Sequence, residues 1–184
     1  NIYGYEGTFI VQQALKISPL LFQRPGEIRQ MLWKDIDFDA QEWRYLVTKT
    51  KIQHIVPLSK QAIEILKTVQ AVTGRANYVF PSSRNDGRPM SDNAVRSALR
   101  SLGYANEEMS AHGFRTTAST ILNEQGWSPD AIERQLSHMP KDQVRAAYNR
   151  AQYLEERRRL MQAWADYLDV LRTGSNVISF KQKS

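Results

Sequence analysis

The chain of 184 residues contains no cysteine. This absence excludes a disulfide framework, a thiolate zinc site and a cysteine nucleophile, and it favours an intracellular protein. Long apolar runs are also missing: no stretch approaches the roughly 18 residues that a membrane-spanning helix needs, and the N-terminal residues lack the layout of a secretory signal. We therefore expect no membrane partner. Because the chain starts with Asn1 rather than methionine, we expect a fragment of a longer protein.

Signatures of nucleotide and metal chemistry are absent as well. The sequence has no G-x-x-x-x-G-K-[ST] loop, no H-E-x-x-H pair and no acidic cluster spaced like a magnesium site. We therefore expect no ATP-dependent or metal-dependent reaction. What the sequence does have is an excess of positive charge, with a net charge of +6 and a pI of about 9.6. This charge suits a polyanionic partner such as nucleic acid, although a basic soluble surface would give the same value.

The apolar spacing predicts a mainly α-helical domain with a small three-stranded antiparallel sheet, an α+β fold. Aromatic and β-branched residues between Asp35 and Leu58 predict the three strands. Residues 79–91 are rich in turn formers and predict a surface loop. We assign residues 1–172 to this domain and residues 173–184 to a C-terminal tail with strand propensity in Val177 to Phe180.

Helix signals are spread over the rest of the chain. Proline and serine mark several starts, since both suit the first helical positions. The predicted helices cover residues 8–22 with a break near Pro19, a short helix opened by Pro25, 59–72 capped by Ser59, 91–102 capped by Ser91, 113–125, a helix opened by Ser128 and Pro129, a short helix over 141–150, and 154–171. The side chains expected to face inward include Ile28, Met31, Leu32 and Trp33 on the second helix and Leu160, Met161, Trp164, Leu168 and Leu171 on the last.

Each of the three histidines lies close to basic residues rather than among carboxylates. His112 and Arg115 are three positions apart at the start of a predicted helix, so both can face one charged target. Taken alone, this pair is better explained as a helix-terminal histidine and a solvated arginine. The other motifs of the chain decide between the two.

Four separated segments carry a resemblance that covers nearly the whole chain. They read, in order, LFQRPGEIRQMLWKDIDFDAQEWRYLVTKTKIQHIVPLS, HGFRTTAS, ERQLSHMP and VRAAYNRAQYLEERR. Together they resemble the tyrosine recombinase (phage integrase) family, and most of all the catalytic domains of integrases from prophages and genomic islands. The resemblance implies the catalytic-domain fold of that family.

The first of these segments supplies an arginine, an acid and a lysine. The family's arginine falls on Arg24 in QRPGE, where a guanidinium can grip two phosphate oxygens. Its acidic companion falls on Glu27, which would hold Arg24 or a neighbouring catalytic group, or would simply favour the start of a helix. The family's hairpin lysine falls on Lys49, with Lys51 as a near rival, and would protonate the departing oxygen. His54 is a weak candidate for a contact with the DNA backbone, as is Lys51.

The later segments supply the rest of the implied site. HGFR gives His112 and Arg115, the histidine to manage a proton or bind phosphate and the arginine to complete a two-arginine clamp. LSH gives His138 as a further phosphate donor, with Ser137 where the family usually has glycine. The implied nucleophile is Tyr148 in AAYNR, which nearby cations would activate.

Tyr153 is the other tyrosine available, and it is better explained as the first apolar contact of the last helix. A buried aromatic with a satisfied hydroxyl is the structural alternative for Tyr148.

The resemblance implies DNA cleavage and rejoining through a 3′-phosphotyrosyl intermediate, without ATP, metal or any other cofactor. The implied partners are double-stranded attachment sites, other protomers in a tetramer on DNA, the N-terminal DNA-binding modules of the full-length protein, and accessory DNA-bending or directionality factors. A cytoplasmic, nucleoid-associated bacterial enzyme is implied, and the tail would dock in cis or on a neighbouring protomer. The alternatives are a type IB topoisomerase-like relaxing enzyme and a non-catalytic DNA-binding remnant.

Overall fold

The computed structural model describes residues 2–138 and 153–174, apart from the side chains at positions 85 and 86. The predicted helix over residues 141–150 and the strand propensity of residues 177–180 lie outside this part of the chain. The described helices are α1 (Phe9–Leu21), α2 (Pro25–Arg29), α3 (Lys60–Thr73), α4 (Ala94–Ser101), α5 (Gly113–Glu124), α6 (Pro129–Gln135) and α7 (Leu154–Thr173). The strands are β1 (Ile36–Asp37), β2 (Glu42–Leu46), β3 (Gln53–Pro57), β4 (Pro81–Ser82) and β5 (Asn85–Pro89). Helices with a small three-stranded antiparallel sheet confirm the predicted fold class, and β4 and β5 form a separate two-stranded hairpin.

Helix α1 lies at the centre of the packing. Its residues Leu15, Ile17 and Leu21 are fully buried, and it contacts α3, α4, α5 and α7. The break expected near Pro19 does not occur, because the helix continues to Leu21. The turns on both sides of the proline are buried, and the indole N–H of Trp164 on α7 donates to the carbonyl of Pro19 at 2.8 Å. Packing and this hydrogen bond therefore hold the last turn in place.

The three-stranded sheet has the order β1-β2-β3 and is antiparallel throughout. Trp43 pairs with Val56, and Tyr45 pairs with His54, in the β2–β3 register. Alternate residues of β2 face inward, and Trp43 and Tyr45 stack with ring centroids 4.1 Å apart. The sheet therefore buries one aromatic face, because successive side chains of a strand point to opposite sides.

The loop predicted over residues 79–91 is instead partly a hairpin of β4 and β5. Turn-forming residues are typical of hairpins as well as loops, and here the apolar residues at both ends enter the core. Phe80 and Met90 are buried, and the Met90 amide donates to the Phe80 carbonyl at 2.8 Å. The guanidinium of Arg29 on α2 donates to the Met90 carbonyl at 2.9 Å, which attaches the hairpin to α2.

Three smaller expectations also differ from the structure. Helix α4 begins at Ala94 rather than directly after Ser91, whose hydroxyl accepts a bond from the Asn93 amide in a preceding turn. Leu171 is 49% exposed, because it lies near the end of α7 beyond its buried stripe. Helix α2 ends at Arg29, so Trp33 falls in a separate 3-10 turn and is only half-buried.

In the part of the chain that the structure describes, no helix is both long and apolar enough to cross a membrane.

We expect Trp164→Ala to lower the free energy of unfolding by about 3–5 kcal/mol, because it empties a large buried volume. The ring of Trp164 is edge-on to Phe22, at 6.0 Å between centroids, and its N–H holds the end of α1. Urea unfolding followed by circular dichroism measures the loss. Val72→Ala, at a position 65% exposed, is the control and should change the same quantity by less than about 0.5 kcal/mol.

Candidate active site

The ends of two helices converge on the side chain of Arg115. One terminal nitrogen of its guanidinium donates to the carbonyl of Phe22, just after α1, at 3.2 Å. The other donates to the carbonyl of Leu136, just after α6, at 2.6 Å. The last carbonyls of a helix have no partner within the helix and carry partial negative charge, which favours a cation. The sequence therefore places Arg115, which is only 4% exposed, between two fixed acceptors.

The end of α6 has the hydrogen bonds of a Schellman motif. The amide of His138 donates to the carbonyl of Glu133 at 3.0 Å, and the amide of Ser137 donates to that of Arg134 at 3.1 Å. Ser137 has a φ of 57°, the left-handed conformation that this position requires. Glycine adopts it most easily, which explains why the serine at this position is unusual for the motif. The motif fixes the backbone of His138 next to the carbonyl that binds Arg115.

Arg24 and His138 join Arg115 at this helix end. A terminal nitrogen of Arg24 lies 3.4 Å from the Ser137 hydroxyl, to which it donates. Nε2 of His138 lies 3.2 Å from a terminal nitrogen of Arg115. Since a guanidinium can only donate, this Nε2 accepts, and the hydrogen of a neutral ring is on Nδ1, 2.7 Å from a carboxylate oxygen of Glu133. Three of the residues predicted from the sequence therefore meet in one cluster.

The two arginines of this cluster lack a negatively charged partner. Within residues 2–138 and 153–174, no carboxylate lies within ion-pair distance of Arg24 or Arg115. Burial, together with the charge of Arg24, lowers the pKa of Arg115 to about 10, so the group remains charged at neutral pH. Two adjacent cations are held here by neutral carbonyl and hydroxyl oxygens. Such a site suits an anion that accepts several hydrogen bonds, such as a phosphate.

Glu27 links this cluster to the β2–β3 hairpin. Its two carboxylate oxygens accept from the amide of Thr48 at 3.0 Å and from the hydroxyl of Thr48 at 3.1 Å. Lys49 is the next residue, exposed on the hairpin turn. Lys51 closes that turn. It has a φ of 54°, and its backbone amide donates a hydrogen bond to the carbonyl of Val47 at 2.8 Å. The carboxylate therefore fixes the base of the turn that carries Lys49, rather than holding Arg24.

The remaining candidate residues have different surroundings. His112 is the exposed N-cap of α5, and its carbonyl accepts from the amide of Arg115 at 3.0 Å. Tyr148 lies outside the described residues. Tyr153 packs against the hydrophobic core at the start of α7, and its hydroxyl donates to Asp130 at 3.1 Å. The position of Tyr153 therefore matches the structural role expected for it.

His54 does not have the position that a DNA contact requires. Its side chain is only 1% exposed, so a phosphate cannot reach it, and this correction replaces the weak expectation from the sequence. Nε2 of His54 lies 3.2 Å from the carbonyl of Gln135 and donates to it, because a carbonyl oxygen only accepts. Burial and the charge of Arg157 hold the pKa of His54 well below its usual range.

A buried polar network surrounds Gln135, and no motif of the sequence indicated it. The backbone carbonyl of Gln135 accepts from the amide group of Gln23 at 2.8 Å, and Tyr45 donates its hydroxyl to Gln23 at 3.1 Å. The side-chain oxygen of Gln135 accepts from Arg157. The available signal was a glutamine beside apolar positions in ERQLSH, which is not distinctive. The side chains of this network are all buried, so a ligand cannot reach them.

Comparison with known proteins identifies the family of the chain. Residues 13–155 match the model of the phage integrase family. The integrase of Enterobacteria phage P4 is 43% identical over 189 residues, an alignment that covers 94% of this chain and 43% of that protein. The chain belongs to the phage integrase family. This result confirms the tyrosine recombinase resemblance seen in the motifs of the sequence.

Solved structures agree with this assignment at the level of the fold. The integrase from mycobacterium phage Brujita superimposes with a TM-score of 0.69 at 16% identity, covering all of this chain and 56% of that one. A lambda integrase tetramer bound to a Holliday junction gives a TM-score of 0.58 at 19% identity, covering 74% of this chain and 43% of that one. The chain therefore spans less than half the length of the P4 integrase and the lambda integrase chain.

The burial of His54 predicts that this integrase domain loses stability as the pH falls below about 6.5. The unfolded histidine binds a proton near that pH, whereas the folded one resists it, so unfolding is favoured in acid by up to about 1.4 kcal/mol per pH unit. Urea unfolding between pH 7.5 and 5 measures the slope. His54→Gln should flatten it, while exposed His112→Gln should leave it unchanged; an unaltered slope in His54→Gln would contradict the assignment.

Proposed function

We propose that this domain is the catalytic part of a site-specific DNA recombinase that cleaves and rejoins DNA at an attachment site. The observation that carries the proposal is the pair of neighbouring arginines, Arg24 and Arg115, held by neutral oxygens and lacking a carboxylate within the described residues. A phosphodiester supplies the two acceptor oxygens that such a pair lacks. Membership of the phage integrase family supports DNA as the source of that phosphate.

In the proposed reaction, the oxygen of Tyr148 attacks the scissile phosphorus and forms a 3′-phosphotyrosyl bond. The bond from phosphorus to the 5′ oxygen breaks, and that oxygen leaves as a 5′-hydroxyl after taking a proton from Lys49. In the rejoining step, a 5′-hydroxyl attacks the same phosphorus and releases Tyr148. The energy of the phosphodiester is kept in the covalent intermediate, so the reaction as proposed uses neither ATP nor a metal ion.

The cluster at the end of α6 would stabilise the charge that develops in this reaction. Arg115 is already fixed by two carbonyls, so it needs little rearrangement when negative charge grows on the phosphoryl oxygens. His138 accepts from Arg115 in the structure described, so donation to phosphate requires a protonated ring or a change of tautomer. A carboxylate oxygen of Glu133, 2.7 Å from the other ring nitrogen, holds the orientation of the ring. We assign to exposed His112 the handling of the nucleophile's proton or a bond to a phosphate oxygen.

The same proposal includes partners beyond one stretch of DNA. The lambda integrase of similar fold is described as a tetramer bound to a Holliday junction, and we propose that this chain also acts with other protomers on DNA. Tail residues 173–184, of which only Thr173 and Gly174 are described, would dock in cis or on a neighbour. N-terminal DNA-binding modules, accessory DNA-bending or directionality factors, and a cytoplasmic, nucleoid-associated location complete the proposal.

Covalent trapping on randomised DNA tests the proposed function and selects a cleavable sequence in the same step. The probe is a pool of short duplexes with randomised sequence, each carrying a nick. The nick is placed so that cleavage releases a short fragment with the 5′-hydroxyl, which prevents rejoining and leaves the protein covalently attached. We expect the wild-type domain to form a denaturant-resistant adduct with part of the pool, equally well in the presence of EDTA. Tyr148→Phe should reduce the adduct below detection, because the nucleophilic oxygen is lost.

The matched control for this experiment is Tyr153→Phe, which should still form a detectable adduct, because it removes a bond to Asp130 at the start of α7 but leaves the nucleophilic oxygen of Tyr148 in place. Sequencing the trapped duplexes gives a site for all later assays. Absence of an adduct in the wild type, with N-terminal modules supplied, would favour the non-catalytic remnant. Relaxation of a single plasmid without any joining between different duplexes would favour the topoisomerase-like alternative.

A sulfur atom in place of the 5′-bridging oxygen tests the role of Lys49. A thiolate leaves without being protonated, so the need for a general acid disappears. We expect Lys49→Ala to slow cleavage of the ordinary duplex by about 10²- to 10⁴-fold and to cleave the sulfur-substituted duplex at nearly the wild-type rate. Lys51→Ala is the control; if it shows this pattern and Lys49→Ala does not, the acid is Lys51.

A further inference from the structure

Both ends of the segment that contains Tyr148 are attached to α6. The segment, residues 139–152, leaves from His138, whose amide is bonded to the Glu133 carbonyl at 3.0 Å. It returns at Tyr153, whose hydroxyl donates to Asp130 in the first turn of the same helix at 3.1 Å. The start of α7 is therefore held against α6, the helix whose C-terminal end binds the arginine cluster.

Arg157, one turn into α7, adds further hydrogen bonds between this helix and α6. Its side chain is only 2% exposed. The guanidinium donates to the side-chain oxygen of Gln135 through Nε at 3.0 Å and through a terminal nitrogen at 2.7 Å, and that terminal nitrogen also donates to the carbonyl of Ile55 on β3. Three elements, α6, α7 and β3, thus meet at one side chain.

This attachment costs stability. No carboxylate lies within ion-pair distance of Arg157 in the described residues. Burial and the charge of Arg134 lower the pKa of Arg157 to about 9, so a cation with only neutral partners is kept out of water. A well-packed apolar side chain at such a position usually stabilises a fold at least as well. Directional bonds to Gln135 are what the arginine adds.

Those bonds are separate from the ones that hold the phosphate clamp. Gln135 uses its side-chain oxygen for Arg157, while its backbone carbonyl accepts from Gln23 at 2.8 Å and from His54 at 3.2 Å. Arg115 is held by Phe22 and Leu136 and has no direct bond to Arg157. Loss of the Arg157 side chain therefore leaves the acceptors of Arg115 in place and removes the bonds between α7 and Gln135, while Trp164 and Arg158 still attach α7 elsewhere.

We propose that Arg157 is a positioning residue which, through Gln135, fixes where the chain re-enters α7 and so delivers Tyr148 to the phosphate held by Arg24 and Arg115. This inference rests on the proposed function, with Tyr148 as the nucleophile. It assigns to Arg157 an effect on the nucleophile and none on activation of the phosphate. The two effects can be separated by changing the nucleophile.

Arg158 provides a matched control on the same helix. It is the next residue along α7, but it donates to the carbonyl of Ala40 at 2.9 Å and to the carboxylate of Glu42. It also pairs with Glu155 at 3.3 Å. Arg158 therefore attaches α7 to the β1–β2 turn and the start of β2. Its replacement removes an arginine and an attachment of α7 without touching the link to Gln135.

The experiment measures cleavage of a duplex from the trapping pool by two nucleophiles. The first is Tyr148 itself, read as covalent adduct. The second is hydrogen peroxide added to the Tyr148→Phe background, where the hydroperoxide oxygen attacks the same phosphorus and the 5′ oxygen leaves as a hydroxyl. We make Arg157→Gln, Arg157→Lys and Arg158→Gln in both backgrounds and follow thermal unfolding of each.

We expect Arg157→Gln to slow the Tyr148 reaction by about 10- to 100-fold, the effect of a nucleophile displaced by about 1 Å, and to leave the peroxide reaction within about threefold of its parent. Arg157→Lys, which keeps the charge and reaches fewer acceptors, should show the same split more weakly, and it decides the matter if Arg157→Gln is unfolded at the assay temperature. Arg158→Gln should leave both reactions within about threefold.

Equal losses in the two reactions, or no loss in either, would overturn the inference while leaving the proposed function intact. Equal losses would mean that Arg157 supports the phosphate clamp or the fold in general. The inference would also be overturned if Arg158→Gln slowed the Tyr148 reaction as much as Arg157→Gln and left the peroxide reaction unchanged. Any loosening of α7 would then be enough to displace the nucleophile. Failure of the wild type to form an adduct, together with no peroxide cleavage, would instead contradict the proposed function.

Discussion

The site depends on the meeting of two helix ends at one guanidinium. Carbonyls that follow α1 and α6 accept from Arg115 at 3.2 and 2.6 Å. Such carbonyls must find a donor somewhere, and a buried cation is the donor that also matches the partial negative charge of a helix end. The requirement of the helices and the requirement of the arginine are thus met by the same two bonds. Moving either helix would leave a buried charge and a buried carbonyl unsatisfied.

The other residues of the site are positioned by contacts that lie around Arg115. The Schellman motif that closes α6 places His138 beside Arg115 and puts the Ser137 hydroxyl within reach of Arg24. Glu27, which follows Arg24 on α2, fixes the hairpin turn through Thr48. Each of these contacts joins segments that are far apart in the chain, so the cluster forms only when the helices and the sheet have packed together.

The sequence predicted the elements of the fold well where a cap or a strict period was present. Ser59 and Ser128 accept from the amides of Ala62 and Ala131 as N-caps should, and the aromatic and β-branched residues between Asp35 and Leu58 do form a three-stranded sheet. It was less reliable where tertiary packing decides. Pro19 remains within a helix because both neighbouring turns are buried, and turn-forming residues beyond Phe80 close a hairpin because its ends enter the core.

The residues of the candidate site likewise fall into those that the sequence could predict and those that it could not. Residue types with a recognisable spacing, such as those of HGFR and QRPGE, could be selected from the sequence, and Arg24, Arg115 and His138 do lie together. The buried network of Gln23, Gln135 and Arg157 could not, because it is built from bonds between amide groups, a guanidinium and backbone carbonyls that no spacing in the sequence reveals. His54 shows the reverse error: the resemblance to the family suggested a weak contact with the DNA backbone, whereas the side chain, opposite Tyr45 in the sheet, is buried.

A buried polar network behind a cationic cluster has a physical consequence for the whole domain. Arg115 and Arg157 are both removed from water with neutral partners, and both have pKa values lowered by burial. Such groups reduce the stability of the empty protein, and an anion that binds at the cluster would recover part of that cost for Arg115 but none of it for Arg157. The two arginines therefore differ in kind: one is arranged to be neutralised by a ligand, and the other is arranged to hold a helix.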